Sequence, residues 1–131
     1  MTELTKILYV DDEDDIREVA EIALELNEGV AVKLGASGHE ALKIAADWKP
    51  DLILLDVMMP GMDGPTTLQN LRQLPTCVDI PVIFITARTQ PSDMDHFMQL
   101  GAAGVISKPF DPMALASQAM AILARVSTPA S

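Results

Sequence analysis

Short apolar runs alternate with stretches of helical periodicity along the whole chain. The apolar runs predict five β-strands, at Lys6–Val10, Val30–Leu34, Leu52–Leu55, Pro81–Ile85 and Val105–Ser107. The third run is apolar at every position, which is typical of a strand covered on both faces. We therefore expect the strands to form the interior of the protein.

The segments that follow the strands predict five helices. The first begins near Asp14, Ser37 to Glu40 is typical of a capping box, Pro65 suits a first helical turn, and Asp111-Pro112 is expected to cap the fifth helix. The residues expected to face inward are, helix by helix, Ile16, Val19, Ala20 and Ala23; Ala41, Ile44, Ala45 and Trp48; Leu68 and Leu71; Met94, Phe97 and Met98; Leu115, Ala119, Ile122, Leu123 and Val126.

Regular strand–helix alternation indicates an α/β fold with a parallel sheet between layers of helices. Right-handed crossovers leave a doubly wound sheet or a closed barrel, and five units are too few for an eight-stranded barrel. Ligands of doubly wound sheets bind at the carboxyl ends of the strands. The residues at those ends are therefore the candidate site.

Composition narrows the class of protein. With 131 residues, the chain fits one domain, predicted at 1–126, with 127–131 as a disordered tail or truncated linker. The formal net charge is −10, and no basic cluster is present, so we expect no direct contact with nucleic acid. Cys77 has no partner for a disulfide, and no apolar run is long enough for a signal peptide or a membrane span. A soluble, cytoplasmic protein without a membrane partner is expected.

Charged and hydroxyl side chains follow four of the predicted strands. They are Asp11 and Asp12 after the first, Asp56 after the third, Thr86 after the fourth and Lys108 after the fifth. Two carboxylates about 4 Å apart repel by roughly 4 kcal/mol at an effective dielectric constant of about 20. One lysine cannot compensate three acids, so the pattern predicts a Mg²⁺ site, with Mn²⁺ able to substitute. Asp56 would then be a nucleophile toward phosphorus.

These residues resemble the receiver domain of two-component response regulators. The similar pieces are "ILYVDDEDDIR", "PDLILLDVMMPGMDG", "PVIFITA" and "GVISKPF", in the order and at the spacing of that family. The resemblance covers the chain from Lys6 to about Arg125. It implies a flavodoxin-like sheet of strand order 2-1-3-4-5 with five flanking helices.

The resemblance also implies a role for each site residue. Asp56 would accept the phosphoryl group, from a sensor histidine kinase or a histidine phosphotransfer protein, and Thr86 and Lys108 would contact that group. Asp11, Asp12, Asp56 and the backbone carbonyl of Met58 would hold Mg²⁺. Phosphorylation would change a surface near the fourth and fifth helices that docks a downstream effector protein. The protein would catalyse only its own phosphorylation and dephosphorylation, so it would not be a multiple-turnover enzyme.

Three positions bear on how such a switch would work. Val105 stands where the family usually has Tyr or Phe, so the usual movement of an aromatic ring is not available. We expect backbone shifts in the loop after the fourth strand and in the fourth helix to carry the signal instead. Met58 and Arg88 are expected to tune how readily water reaches the phosphoryl group.

Several other interpretations stay open at this stage. A haloacid-dehalogenase-type phosphatase needs a second acid at position 58, where this chain has methionine, and a flavodoxin would bring its phosphate to an acidic loop. A degenerate receiver that docks without being phosphorylated is the main alternative. His39 and His96 are expected on the surface away from the strand ends, and Cys77 in a loop. Core packing is expected of Met94, Met98, Met113 and Met120, with a docking face of Met and Ala on the fifth helix as the alternative.

Overall fold

The computed structural model describes residues 4–127, which alternate between strand and helix without interruption. The strands are β1 (Thr5–Val10), β2 (Val30–Gly35), β3 (Leu52–Asp56), β4 (Val82–Thr86) and β5 (Gly104–Ser107). The helices are α1 (Asp14–Glu25), α2 (Gly38–Trp48), α3 (Gly64–Leu71), α4 (Pro91–Gln99) and α5 (Leu115–Ser127). The predicted element order is confirmed, with boundaries that differ by one or a few residues.

All strand pairs are parallel, and the sheet order is β2-β1-β3-β4-β5. The predicted doubly wound, flavodoxin-like fold is therefore confirmed. Because β1, β3 and β4 each have a neighbour on both sides, their carboxyl ends lie next to one another. This arrangement brings residues from distant parts of the sequence to one edge of the sheet.

Alternating strand residues divide the core into two apolar layers. On β1, Leu8 and Val10 belong to the layer that α2, α3 and α4 cover, whereas Ile7 and Tyr9 belong to the layer that α1 and α5 cover. Leu52–Leu55 of β3 are buried, as their apolar sequence predicts, and Asp56 at the end of the strand is buried with them. The two covered faces hold the strands rigidly, and with them the residues at their ends.

Local signals in the sequence explain where two of the helices begin. The Ser37 hydroxyl accepts the Glu40 amide at 3.1 Å, and the Glu40 carboxylate accepts the amide of Ala36 rather than that of Ser37. At α3, the Asp63 carboxylate accepts the amide of Thr66 at 2.9 Å. Each cap satisfies backbone amides that the first helical turn leaves without a partner.

Glycine at position 64 allows the start of α3 to approach the end of β3. A Cβ atom at this position would lie 2.6 Å from the backbone carbonyl oxygen of Asp56 and 2.8 Å from the Cα of Val57. The Gly64 amide donates to the Val57 carbonyl at 2.8 Å. The loop between Asp56 and α3 is thus closed tightly by a contact that only glycine permits.

Some sequence predictions about the helices are wrong. Val19, Met98 and Val126 were expected to face inward, but they are 43%, 49% and 47% exposed, because helical spacing alone does not say how wide the covered face is. Met113, expected in the core, is 80% exposed. It lies outside α5, which begins at Leu115 because Asp111 caps a separate turn through the amide of Met113.

The last helix extends to the end of the described residues. α5 continues through Ser127, one residue into the segment that was expected to be a tail, and residues 128–131 lie outside the described part. Within residues 4–127, no helix combines the length and apolar composition needed to cross a bilayer. Cys77 lies in a loop, as predicted, but it is fully buried.

Candidate functional site

Three carboxylates meet at the carboxyl edge of the sheet. Asp11 and Asp12 follow β1, Asp56 ends β3, and one ligand oxygen from each lies within 4.8 Å of the other two. Asp11 and Asp56 are buried, and Asp12 is exposed. The cluster therefore has two fixed carboxylates at its base and a third on the solvent side.

Lys108 is the cation that the fold brings to this cluster. Its Nζ lies 3.0 Å from Oδ2 of Asp11 and 3.4 Å from Oδ1 of Asp56. The Lys108 amide donates to the Thr86 carbonyl at 2.9 Å, so the end of β4 holds the backbone of the lysine. Burial opposes the charge on the ammonium, but the hydrogen bond and charge of Asp11 and Asp56 outweigh it and raise the pKa of Lys108.

The negative charge of the cluster exceeds what Lys108 can compensate. Burial, together with the charge of Asp11, raises the pKa of Asp56 to about 6, although Lys108 acts in the opposite direction. A further cation close to this carboxyl group would stabilise its ionised form. Three carboxylate oxygens with one solvent-facing side fit the preference of Mg²⁺ for carboxylates and water. The residues present therefore fit a small divalent cation.

Thr86 ends β4, and Met58 and Arg88 lie two residues beyond the ends of β3 and β4. Thr86 is buried at the end of β4, and its hydroxyl accepts the Arg88 amide at 3.0 Å. Met58 is 71% exposed, and it shares with Arg88 the wall of a surface cavity of about 580 Å³. His96 is exposed, as predicted, and it lines the same cavity as Met58 and Arg88.

Val105 lies on β5 between two helices. It is half-buried and lines two surface cavities, of about 470 and 410 Å³. Met94 of α4 and Ile122 of α5 line both cavities as well. The short valine side chain thus lies at the floor of a groove between α4 and α5.

Sequence reasoning missed two residues that contact Asp11. The Tyr9 hydroxyl donates to Oδ2 of Asp11 at 3.2 Å, and a guanidinium nitrogen of Arg17 donates to the Asp11 backbone carbonyl at 2.7 Å. A signal for Tyr9 was present in the sequence. It carries the one side-chain hydroxyl in the apolar run Ile7–Val10 and stands two residues before Asp11, so both side chains point to one face.

The fold and the strand-end site define a class of flavodoxin-like proteins with a buried aspartate and an acidic cluster at the sheet edge. A family model for the response regulator receiver domain matches residues 7–120. The chain therefore belongs to the response regulator receiver domain family.

Individual relatives agree with this family. The chain is 38% identical to the transcriptional regulatory protein CseB of Streptomyces avermitilis over 95% of its own length and 52% of the relative's. It is 39% identical to the phosphate regulon transcriptional regulatory protein PhoB of Pseudomonas aeruginosa, over 91% of this chain and 52% of PhoB. The chain thus spans about half the length of these relatives.

Solved structures of similar size superimpose on the whole domain. The chemotaxis protein CheY4 of Vibrio cholerae matches with a TM-score of 0.84 at 31% identity, covering 91% of this chain and 98% of CheY4. The receiver domain of a signal transduction histidine kinase from Syntrophus aciditrophicus matches with a TM-score of 0.79 at 33% identity, covering 97% and 96%. Relatives of this domain therefore occur both alone and within longer proteins.

Proposed function

We propose that this receiver domain accepts a phosphoryl group on Asp56 in a reaction that requires Mg²⁺. The observation that carries the proposal is the contact of Lys108 with both Asp11 and Asp56, in a cluster whose negative charge one lysine cannot compensate. Asp56 ends the central strand β3, and the residues of β3 before it are buried between the two apolar layers of the core. Asp11, Asp12 and Asp56 would hold the cation, with the Met58 backbone carbonyl as a further ligand.

The reaction would be a transfer between two nucleophiles. A carboxylate oxygen of Asp56 attacks phosphorus, an O–P bond forms, and the P–N bond to the donor histidine breaks. The electron pair of that bond returns to the imidazole, which takes up a proton. When bound, Mg²⁺ supplies positive charge that compensates the carboxylates and the phosphoryl oxygens. The protein would undergo this chemistry on itself and would not turn over a separate substrate.

Lys108 and Thr86 would stabilise the transferred group. Lys108 already lies within 3.4 Å of Oδ1 of Asp56, so a small rotation of its side chain would bring the ammonium to a phosphoryl oxygen. The Thr86 hydroxyl accepts from the Arg88 amide and keeps its own proton for donation. Both groups would be donors that are already in position when negative charge develops on the phosphoryl oxygens during transfer.

Phosphorylation with acetyl phosphate and Mg²⁺ tests the proposal. Intact mass spectrometry should find one phosphoryl adduct that hydroxylamine removes, and Asp56→Asn should abolish it. Asp51→Asn is the matched control, because Asp51 directly precedes the same strand at its other end, and this variant should be phosphorylated normally. Absence of any labile adduct on the unmodified protein would favour a degenerate receiver that docks without phosphorylation.

The phosphoryl donor and the effector are proposed from the family and the surface. A sensor histidine kinase or histidine phosphotransfer protein would donate the group in the cytoplasm. The effector would dock near α4 and α5, where Met98 and Val126 expose apolar surface beside the groove at Val105. Phosphotransfer assays with each histidine kinase of the native genome would identify the donor.

Val105 gives this docking surface a different switch from the usual one. With no aromatic ring to move, we expect the β4–α4 loop and α4 to carry the change through backbone shifts. Amide NMR spectra with and without a beryllofluoride mimic of the phosphoryl group should show shifts through residues 87–99. Shifts confined to the immediate pocket would contradict this expectation.

A further inference from the structure

Tyr9 connects the apolar core with the acidic cluster. Its side chain is fully buried, and its hydroxyl donates to Oδ2 of Asp11 at 3.2 Å. The hydroxyl is therefore a donor to a buried carboxylate.

The core fixes where this hydroxyl lies. Tyr9 lies on the central part of the sheet, paired with Leu34 of β2 on one side and Leu54 of β3 on the other. Its ring packs edge-on against Phe110, with 6.2 Å between the ring centroids. A ring held on these sides has little freedom to move its hydroxyl away from Asp11.

Asp11 receives two other donors, and one of them is expected to leave. The Glu13 amide donates to Oδ1 at 3.0 Å, and Nζ of Lys108 donates to Oδ2 at 3.0 Å. In the proposed reaction Lys108 turns to a phosphoryl oxygen. The Tyr9 hydroxyl then stays as the side-chain donor to Oδ2.

We infer that Tyr9 is a positioning residue for Asp11. Its hydroxyl keeps the Asp11 carboxylate in one orientation for the cation, whether or not Lys108 contacts it. Removing a hydrogen-bond donor that orients a metal-binding side chain commonly weakens metal affinity about 10–100-fold. This inference rests on the proposed function, because it assumes that Asp11 is a ligand of Mg²⁺.

Calorimetric titration with MgCl₂ tests the inference without requiring any activity. Tyr9→Phe keeps the ring and removes the hydroxyl, and we expect it to weaken Mg²⁺ binding about tenfold. The matched control is Ile7→Val, which removes a methyl group from the same buried face of β1 and should leave the affinity unchanged within about twofold. Melting curves without Mg²⁺ show whether each variant is folded.

The same substitution in a Lys108→Ala variant makes the test more specific. In Lys108→Ala the Tyr9 hydroxyl has no competing ammonium at Oδ2, so adding Tyr9→Phe should weaken Mg²⁺ binding more than it does in the natural protein. Equal Mg²⁺ affinity with and without the hydroxyl, in both backgrounds, would overturn the inference. Failure of the proposed function is distinguishable, since the natural protein would then give no labile adduct at Asp56.

Discussion

The two ends of the same sheet differ in whether their charged side chains have partners. At the amino end, the Lys6 amide donates to Asp51 at 2.8 Å and its Nζ donates to the Trp48 carbonyl at 2.6 Å. The ammonium groups of Lys6 and Lys33 also lie 5.4 and 5.2 Å from the centre of the Trp48 ring. Asp51, Lys6 and Lys33 therefore all have partners, which is typical of charged groups with a structural role.

At the carboxyl end, three carboxylates lie together and Lys108 contacts two of them, Asp11 and Asp56. Asp56 is only 4% exposed, and its pKa is raised to about 6 by burial and by Asp11. Burying a carboxylate without full compensation destabilises a protein, so this arrangement is costly for folding. The difference between the ends indicates that the charge imbalance, rather than the number of charges, distinguishes the end of the sheet that carries the candidate site.

The largest effect is expected from removing the charge of Asp56. Its pKa is raised from 3.8 to about 6, and about two pKa units correspond to roughly 3 kcal/mol. Between these values the unfolded chain ionises first, so the stability that a protonated Asp56 contributes is lost as pH rises through about 6. Without Mg²⁺, Asp56→Asn should therefore raise the free energy of unfolding by about 1–3 kcal/mol above that pH.

Urea denaturation of both proteins at several pH values measures this effect. The advantage of the asparagine variant should shrink as pH falls below about 6 and approach zero below about 3.8, where Asp56 is protonated in both states. Asp51→Asn at the amino end should show no such gain. An advantage of equal size at every pH would contradict the assignment of the charge imbalance to Asp56.

The next effect is on the reaction, through Lys108. Lys108→Ala removes the donor that we propose for the phosphoryl oxygens, and loss of one such donor should lower the rate of phosphorylation about 100-fold. Stopped-flow or gel measurements of phosphorylation by acetyl phosphate would show the decrease, whereas Mg²⁺ binding should persist because the three carboxylates remain. A variant with normal phosphorylation would show that the lysine only balances charge.

A smaller effect is expected at Met58. An asparagine at this exposed position offers hydrogen bonds to water next to the phosphoryl group, so Met58→Asn should shorten the lifetime of the acyl phosphate about fivefold, equivalent to about 1 kcal/mol. The same substitution at Met98, on α4, is the control. Radiolabel release from the purified phosphoprotein gives both lifetimes, and identical values would exclude a role for Met58 in water access.

The smallest effect is expected at the amino end. Lys6→Met keeps the apolar part of the side chain and loses the contacts to Trp48, which are worth about 1 kcal/mol or less. Thermal denaturation should detect that loss, and calorimetry should show unchanged Mg²⁺ affinity. A change in Mg²⁺ affinity would mean that the two ends of the sheet are coupled.

Much of the candidate site could be predicted because it depends on strand ends. Asp11, Asp12, Asp56 and Lys108 follow strands that are evident from apolar runs, and parallel pairing brings such ends together. Which helix residues are buried was predicted less well. Val19, Met98 and Val126 fit the helical period, yet they are exposed because the sheet covers only part of each helix.

The sequence by itself determined the order of the elements and the strand ends that carry acids, because periodicity and turn residues are local properties. The tertiary structure decided which groups touch. It placed Lys108 on a carboxylate 97 residues away, and it set the Tyr9 hydroxyl against the same oxygen atom. Such contacts depend on the packing of two apolar layers against one sheet. A local sequence pattern does not determine the distance between side chains that are far apart in the chain.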